Sequence, residues 1–188
     1  MRALVVHESL YGNTRTVAEE VTAGLAASGD DLEVRCRPAA DVVAEGAGAL
    51  GGLDLLVLGC PTHAWRMSST RSRTAQLAKD AAEGASGDGP RAHEPDATGP
   101  GLRELLALGL DAGQPVAAFD TRMDSRFSGG AAPRIARAAR RAGGAVFGEP
   151  TGFVVTGTTG PLRDGETGRA RAWGAELGAI LAATRRVH

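Results

Sequence analysis

Lysine is almost missing from this chain: Lys79 is the only one, and arginine supplies the remaining basic residues. Alanine and glycine abound alongside it, the mark of a GC-rich coding preference, so arginine counts by themselves carry little functional weight. Cysteine is nearly as scarce. Cys36 and Cys60 are too few and too far apart for a disulfide framework or a zinc site. Without a C-x-x-C pair, both are expected as free thiols, Cys60 as a small filler at a strand end. Neither sign of charge dominates. A formal net charge of −1 gives no general attraction to nucleic acid or to an anionic membrane. No apolar run reaches the length of a transmembrane segment, and the N-terminus enters a strand pattern without a signal-peptide profile, so a cytoplasmic protein is expected. Aromatic residues make up only 4% of the chain, which makes a tryptophan outside an apolar pattern informative.

What is present is a regular rhythm. The 188 residues, 43% of them hydrophobic, suit one domain over 1–188 with a continuous core. Five strands are predicted at 2–7, 32–37, 53–59, 115–120 and 152–157, and two of these, around Val57 and Ala117, are apolar nearly throughout, as strands covered on both faces are. Helical patterns fall between them at 14–28, 70–83, 101–110, 132–144 and 165–186, the first placing Val17, Val21 and Leu25 on one face. Alternation of this kind implies crossover units in a doubly wound α/β sheet with helices on both faces. One stretch breaks the rhythm: residues 84–101, rich in Gly, Pro and Asp, read as an exposed excursion between two helices.

The first strand breaks into "SLYGNT" (9–14) and turns helical at once. A loop there lies at the carboxyl edge of the sheet, where α/β proteins bind ligands. Ser9, Tyr11, Asn13 and Thr14 offer side-chain donors, Gly12 permits a tight turn, and the helix adds unsatisfied N–H groups and the positive end of its dipole. The arrangement suits an anion. It lacks the lysine of a P-loop and the glycines of a dinucleotide fingerprint, and neutral donors alone suit a terminal phosphate monoester such as that of FMN. The plainer alternative is a helix cap in which Ser9 or Asn13 serves only the backbone.

This loop resembles the flavodoxin-like phosphate loop, [ST]-x-[TYW]-G-x-T, and the resemblance extends over essentially the whole chain. It implies a five-stranded parallel sheet in the order 2-1-3-4-5, with FMN held non-covalently at the carboxyl edge by Ser9, Leu10, Tyr11, Gly12, Asn13 and Thr14. A second loop after the third strand, "GCPTHAW", is similar to the flavin-contacting loop of the same family. By that resemblance Pro61, Thr62, His63, Ala64 and Trp65 meet the flavin, Thr62 through polar groups at the ring edge and Trp65 by stacking. His63 has two readings, a proton donor to the ring or a solvent-facing loop residue. The third loop carries Asp120, Thr121 and Arg122 where the family meets the pyrimidine end of the ring. Its only aromatic, Phe127, lies several residues later. The ending "GFVVTGTTGPL…GETGRARAW" resembles that of a flavodoxin-like subgroup, and Trp173 within it reads as core.

What the resemblance implies for function is an FMN-binding electron carrier that takes electrons from a reductase and passes them to a partner protein. Two alternatives stand beside it: an NAD(P)H-dependent FMN oxidoreductase acting on a quinone-like acceptor, and a flavodoxin-fold interaction module that no longer binds FMN. Arg66, Arg71 and Arg73 follow the second loop, and a guanidinium near the flavin would raise the potential for its second electron.

Overall fold

The computed structural model describes residues 1–29, 31–63, 66–67, 70–83, 93–124 and 130–185. In chain order the elements are β1 (Arg2–His7), α1 (Asn13–Ala26), β2 (Glu33–Pro38), α2 (Ala39–Glu45), a 3-10 turn at Ala47–Leu50, β3 (Leu55–His63), β4 (Arg66–Met67), α3 (Thr70–Glu83), α4 (Leu102–Ala107), β5 (Pro115–Met123), α5 (Ala132–Arg141), β6 (Ala145–Val146), β7 (Thr151–Val155) and α6 (Glu166–Arg185). The parallel sheet runs β2-β1-β3-β5-β6, and β7 pairs with β5 beyond β6. With β6 and β7 counted as one interrupted strand, the order is the expected 2-1-3-4-5. The interruption coincides with Gly148, Glu149 and Pro150, where a positive φ and a missing N–H donor break the ladder.

Strand periodicity sorts the core into two layers. Leu4, Val6, Leu56, Leu58, Val116 and Ala118 face α2, α4 and α5. Their neighbours Ala3, Val5, Leu55, Val57, Ala117 and Phe119 face α1 and α6. Burial on both sides is what makes these strands read as unbroken apolar runs. Trp173 belongs to the second layer, edge-on to Phe119 and Phe153 with ring centroids 6.1 Å away in both cases. Cys60 is fully buried, and neither cysteine is in a disulfide. Among the described residues no helix is long and apolar enough to cross a membrane.

The structure adds elements that the periodicity missed. α2 is only seven residues long and buries Ala39 and Val42 with Val43 half-buried beside them, too short for a helical repeat to declare itself. β3 and β5 both outlast their apolar runs, to His63 and Met123, because β5 finds partners on each side: Pro61 lies opposite Thr121, and Asp120 to Met123 lie opposite Gly152 to Val155.

α1 and α6 meet backbone to backbone. A Cβ on Gly24 would stand 2.0 Å from the Arg171 carbonyl oxygen, and one on Gly174 would stand 2.2 Å from that of Val21. Gly24→Ala is therefore expected to destabilise the fold by about 1–3 kcal/mol, although alanine is the better helix former. Urea unfolding reads the change, and a variant as stable as the parent would show that the two helices do not approach this closely.

Candidate functional site

The site begins where β1 stops. Glu8 N donates to the Gly59 carbonyl at 2.9 Å, and the chain then crosses to α1 through Ser9–Gly12. Gly12 takes φ 86°, a left-handed conformation that costs other residues about 1–2 kcal/mol. A side chain there would also meet Glu94, whose Oε1 lies 3.1 Å from the Cβ position. Ser9 Oγ accepts from Gly12 N at 3.1 Å inside the turn, and Asn13 Nδ2 donates to the Thr159 carbonyl at 3.0 Å. Neither side chain caps α1: its N-terminus has no side-chain cap and no acidic residue in the first turn. Ser9 thus serves the backbone N–H of Gly12, as the plainer alternative expects, but no side chain caps the first turn of α1, and that helix end opens at the carboxyl edge of the sheet.

Register brings the other segments to it. The parallel pairing of β3 with β5 sets Cys60 beside Asp120 and Pro61 beside Thr121. Thr14 Oγ1 and Thr121 Oγ1 are 2.8 Å apart and buried, joining the start of α1 to β5. The result is a cleft of about 220 Å³. Ser9, Leu10, Tyr11, Asn13 and Thr14 line it from the first loop, Pro61 and Thr62 from β3, and Thr121 and Arg122 from β5. The second and third segments are strand at these positions rather than loop. His63 pairs with Arg66 in a short antiparallel hairpin of β3 and β4. Ala64, Trp65 and Phe127 lie outside the described residues, as does the side chain of His63.

Two expected residues sit close by without lining the cleft. Gly12 shapes the turn. Asp120 is fully buried and turned toward α5, where its Oδ2 accepts from Ala132 N at 2.7 Å, while Thr62 Oγ1 accepts from Ala131 N at 2.9 Å. Asp120 Oδ1 has no hydrogen-bond partner among the described residues and lies 3.7 Å from Arg122 Nε. The Arg122 guanidinium fills the space that a side chain at Gly152 would take and adjoins Gly130. Gln76, Met123, Val155, Gly157 and Thr158 complete the lining and were missed from sequence. A signal existed for two of them: "TGTTG" (156–160) repeats the hydroxyl-and-glycine character of "SLYGNT" after the fifth strand, and Asn13 ties it to the first loop.

Burial, the largest influence, lifts the Asp120 carboxyl above the ordinary carboxylate range, against the Ala132 hydrogen bond and the Arg122 charge, which lower it. A carboxyl raised in this way keeps its proton longer in the folded chain. Its contribution to stability is greatest below the ordinary pKa and is lost as pH rises from there to the raised value. Asp120→Asn lacks this component, so its stability relative to the parent is expected to rise with pH across the carboxylate range. Urea midpoints at a series of pH values measure it, and a difference flat with pH contradicts the assignment.

The excursion expected to be exposed over 84–101 is described from His93 onward, and that part packs against the site. Glu94 N donates to the Leu10 carbonyl at 3.0 Å, and Glu94 Oε2 pairs with Arg15 at 3.1 Å. Ala97 and Gly101 are buried. Asp80 on α3 accepts from Tyr11 Oη at 2.5 Å and from Gln76 Nε2 at 2.9 Å, and lies 2.9 Å from His93 Nε2, which fastens the phosphate-type loop, α3 and the returning excursion together. Two of the three arginines expected beside the cleft are placed elsewhere. Arg73 is 1% exposed, paired with Glu8 at 2.7 Å and bonded to the Ala97 carbonyl, while Arg71 faces solvent and only the backbone of Arg66 is described. Among the described residues, Arg122 lines the cleft.

No protein-family model and no curated protein matches the sequence. Solved structures do match. A flavodoxin from the domain Archaea aligns over 97% of this chain and 99% of its own with a TM-score of 0.61 at 20% identity. Oxidised flavodoxin 1 from Bacillus cereus aligns over 94% and 97% with a TM-score of 0.60 at 18% identity. A flavodiiron protein from Giardia intestinalis gives 0.62 at 19% identity over 97% of this chain and 36% of its own, so the chain spans about a third of that protein. The chain has the flavodoxin-like fold.

Proposed function

We propose that the chain is a cytoplasmic electron carrier that holds FMN in this cleft, accepting electrons from a reductase protein and passing them to an acceptor protein. The observation that carries the reading is the uncapped N-terminus of α1, led by Gly12 and surrounded by neutral donors, opening into the same cleft as Thr62, Thr121 and Arg122. Such a helix end favours a dianionic phosphate without a lysine. Ser9, Asn13 and Thr14 would hold the phosphate with the N–H groups of Tyr11 to Thr14. Pro61, Thr62, Thr121 and Arg122 would meet the ring, with His63, Ala64 and Trp65 assigned to its edge and face by resemblance. Bound FMN supplies the one- and two-electron chemistry; the chain supplies binding, orientation and local charge.

Titration of the purified protein with FMN, followed by visible absorbance, is expected to saturate at one flavin per chain. Asn13→Ala removes a donor and frees the 156–160 segment, and is expected to weaken FMN binding about fivefold, near 1 kcal/mol. A protein that stays colourless at saturating FMN is an interaction module instead. Steady NADPH consumption with a quinone and no added reductase would make it an oxidoreductase.

A further inference from the structure

α5 carries four arginines and no acidic residue in ten positions, "APRIARAARR". Arg134, Arg137 and Arg141 fall at i, i+3 and i+7, on one stripe, with Arg140 beside it. All four are exposed, and the opposite stripe, Ile135, Ala136 and Ala139, is buried against the sheet. Coding bias explains how many arginines the chain has, not why four of them gather on one short helix. Many of the others meet carboxylates: Arg35 and Arg37 on β2, Arg73 in the core, Arg163 and Arg169 near the start of α6. Among the described residues Arg137, Arg140 and Arg141 make no ion pair. The helix dipole answers for Arg140 and Arg141 in the last turn but not for Arg137.

Position gives the stripe its meaning. The residues that open α5 are bonded at the cleft and beside it, Ala131 N to Thr62, which lines it, and Ala132 N to Asp120 next to it. At 1.5 Å per residue the stripe runs from about 4 to about 14 Å beyond that edge. We infer that the exposed face of α5 is the docking surface for a strongly acidic redox protein, held by charge complementarity next to the cleft where electrons would cross. The chain as a whole is near neutral, so attraction is local to this face and fixes the orientation of an encounter rather than drawing polyanions in general. The redox half of this inference rests on the proposed FMN carrier; the binding half does not.

The probe is a plant-type [2Fe–2S] ferredoxin, a small acidic electron carrier, titrated calorimetrically into the full chain with and without FMN. Binding is expected at low ionic strength, with a steep decline between about 20 and 200 mM salt. R137E/R141E is expected to weaken it at least ~10-fold and R137Q/R141Q by a smaller factor, both with unchanged circular dichroism. With FMN loaded, the rate of electron transfer from reduced ferredoxin should fall with salt in the parent and lose that dependence in R137E/R141E. No binding, binding indifferent to both variants, or tighter binding of duplex DNA than of ferredoxin overturns the inference. Ferredoxin binding through α5 by a chain that takes up no FMN would leave the surface standing and remove the carrier. FMN uptake with no ferredoxin binding would do the reverse.

Discussion

Arg73→Met is expected to destabilise the fold by about 3–5 kcal/mol, the cost of breaking a buried ion pair from one side. Arg73 and Glu8 are both almost fully buried, 2.7 Å apart. Glu8 Oε2 also accepts from Leu102 N at the start of α4, and Arg73 donates to the carbonyls of Ala97 and Gly99. The pair therefore joins the end of β1, α3, the returning excursion and α4 beneath the first loop. Without the guanidinium, Glu8 is left as a buried charge against the backbone of Gly101, and two carbonyls lose their donor. For a domain of this size the change corresponds to a fall of roughly 10 °C in Tm. The double variant Glu8→Gln/Arg73→Met keeps an acceptor for Leu102 and removes the stranded charge, so it should recover a large part of the loss. A single variant as stable as the parent, or a double variant no better than the single, would show that the pair contributes little. Because the excursion leans on the first loop through Glu94, the single variant should also weaken FMN binding.

Arg73 marks where sequence reading stops. From the chain alone it was one of three arginines after a flavin-type loop; only the return of residues 93–101 over that loop shows it to be a structural cation. The same long-range pairing hides the true ends of β3 and β5. "CPTH" and "DTRM" are too polar to read as strand, yet each is flanked by neighbouring strands, and Asp120 and Thr121 are buried by that pairing and by α1 and α5. What was legible follows from local chemistry and simple patterns: the unbroken apolar runs of strands covered on both faces, the turn at Gly12, the hydroxyls and amide around it, and Trp173 in the core. Thr158 stood in plain view, but a hydroxyl after the fifth strand has no meaning until Asn13 is seen holding the adjacent carbonyl.

The potential of the bound flavin is expected to depend on Arg122. Of the arginines after the second loop, Arg73 is engaged by Glu8 and Arg71 faces solvent, and the physical argument applies to Arg122, which lines the cleft with its side chain one-third exposed. A charge contact of ~1.4 kcal/mol with the extra negative charge of a reduced ring corresponds to about 59 mV for one electron. In the FMN-loaded protein, Arg122→Gln should therefore lower the potential for the second electron by about 59 mV, and Arg122→Glu by about 120 mV, since it exchanges attraction for repulsion. Asp120→Asn should move it the other way, because it removes the anion that opposes Arg122 at 3.7 Å. The parent should then sit at a less negative potential than an acidic flavodoxin. Spectroelectrochemical titration reads all four values. Arg71→Gln is the control: Arg71 faces solvent, where its charge is screened, so a shift equal to that of Arg122→Gln would return the effect to the surface. Salt separates the two placements again, because a cation partly enclosed by Gly130 and Gly152 keeps most of its influence at high ionic strength and an exposed one does not.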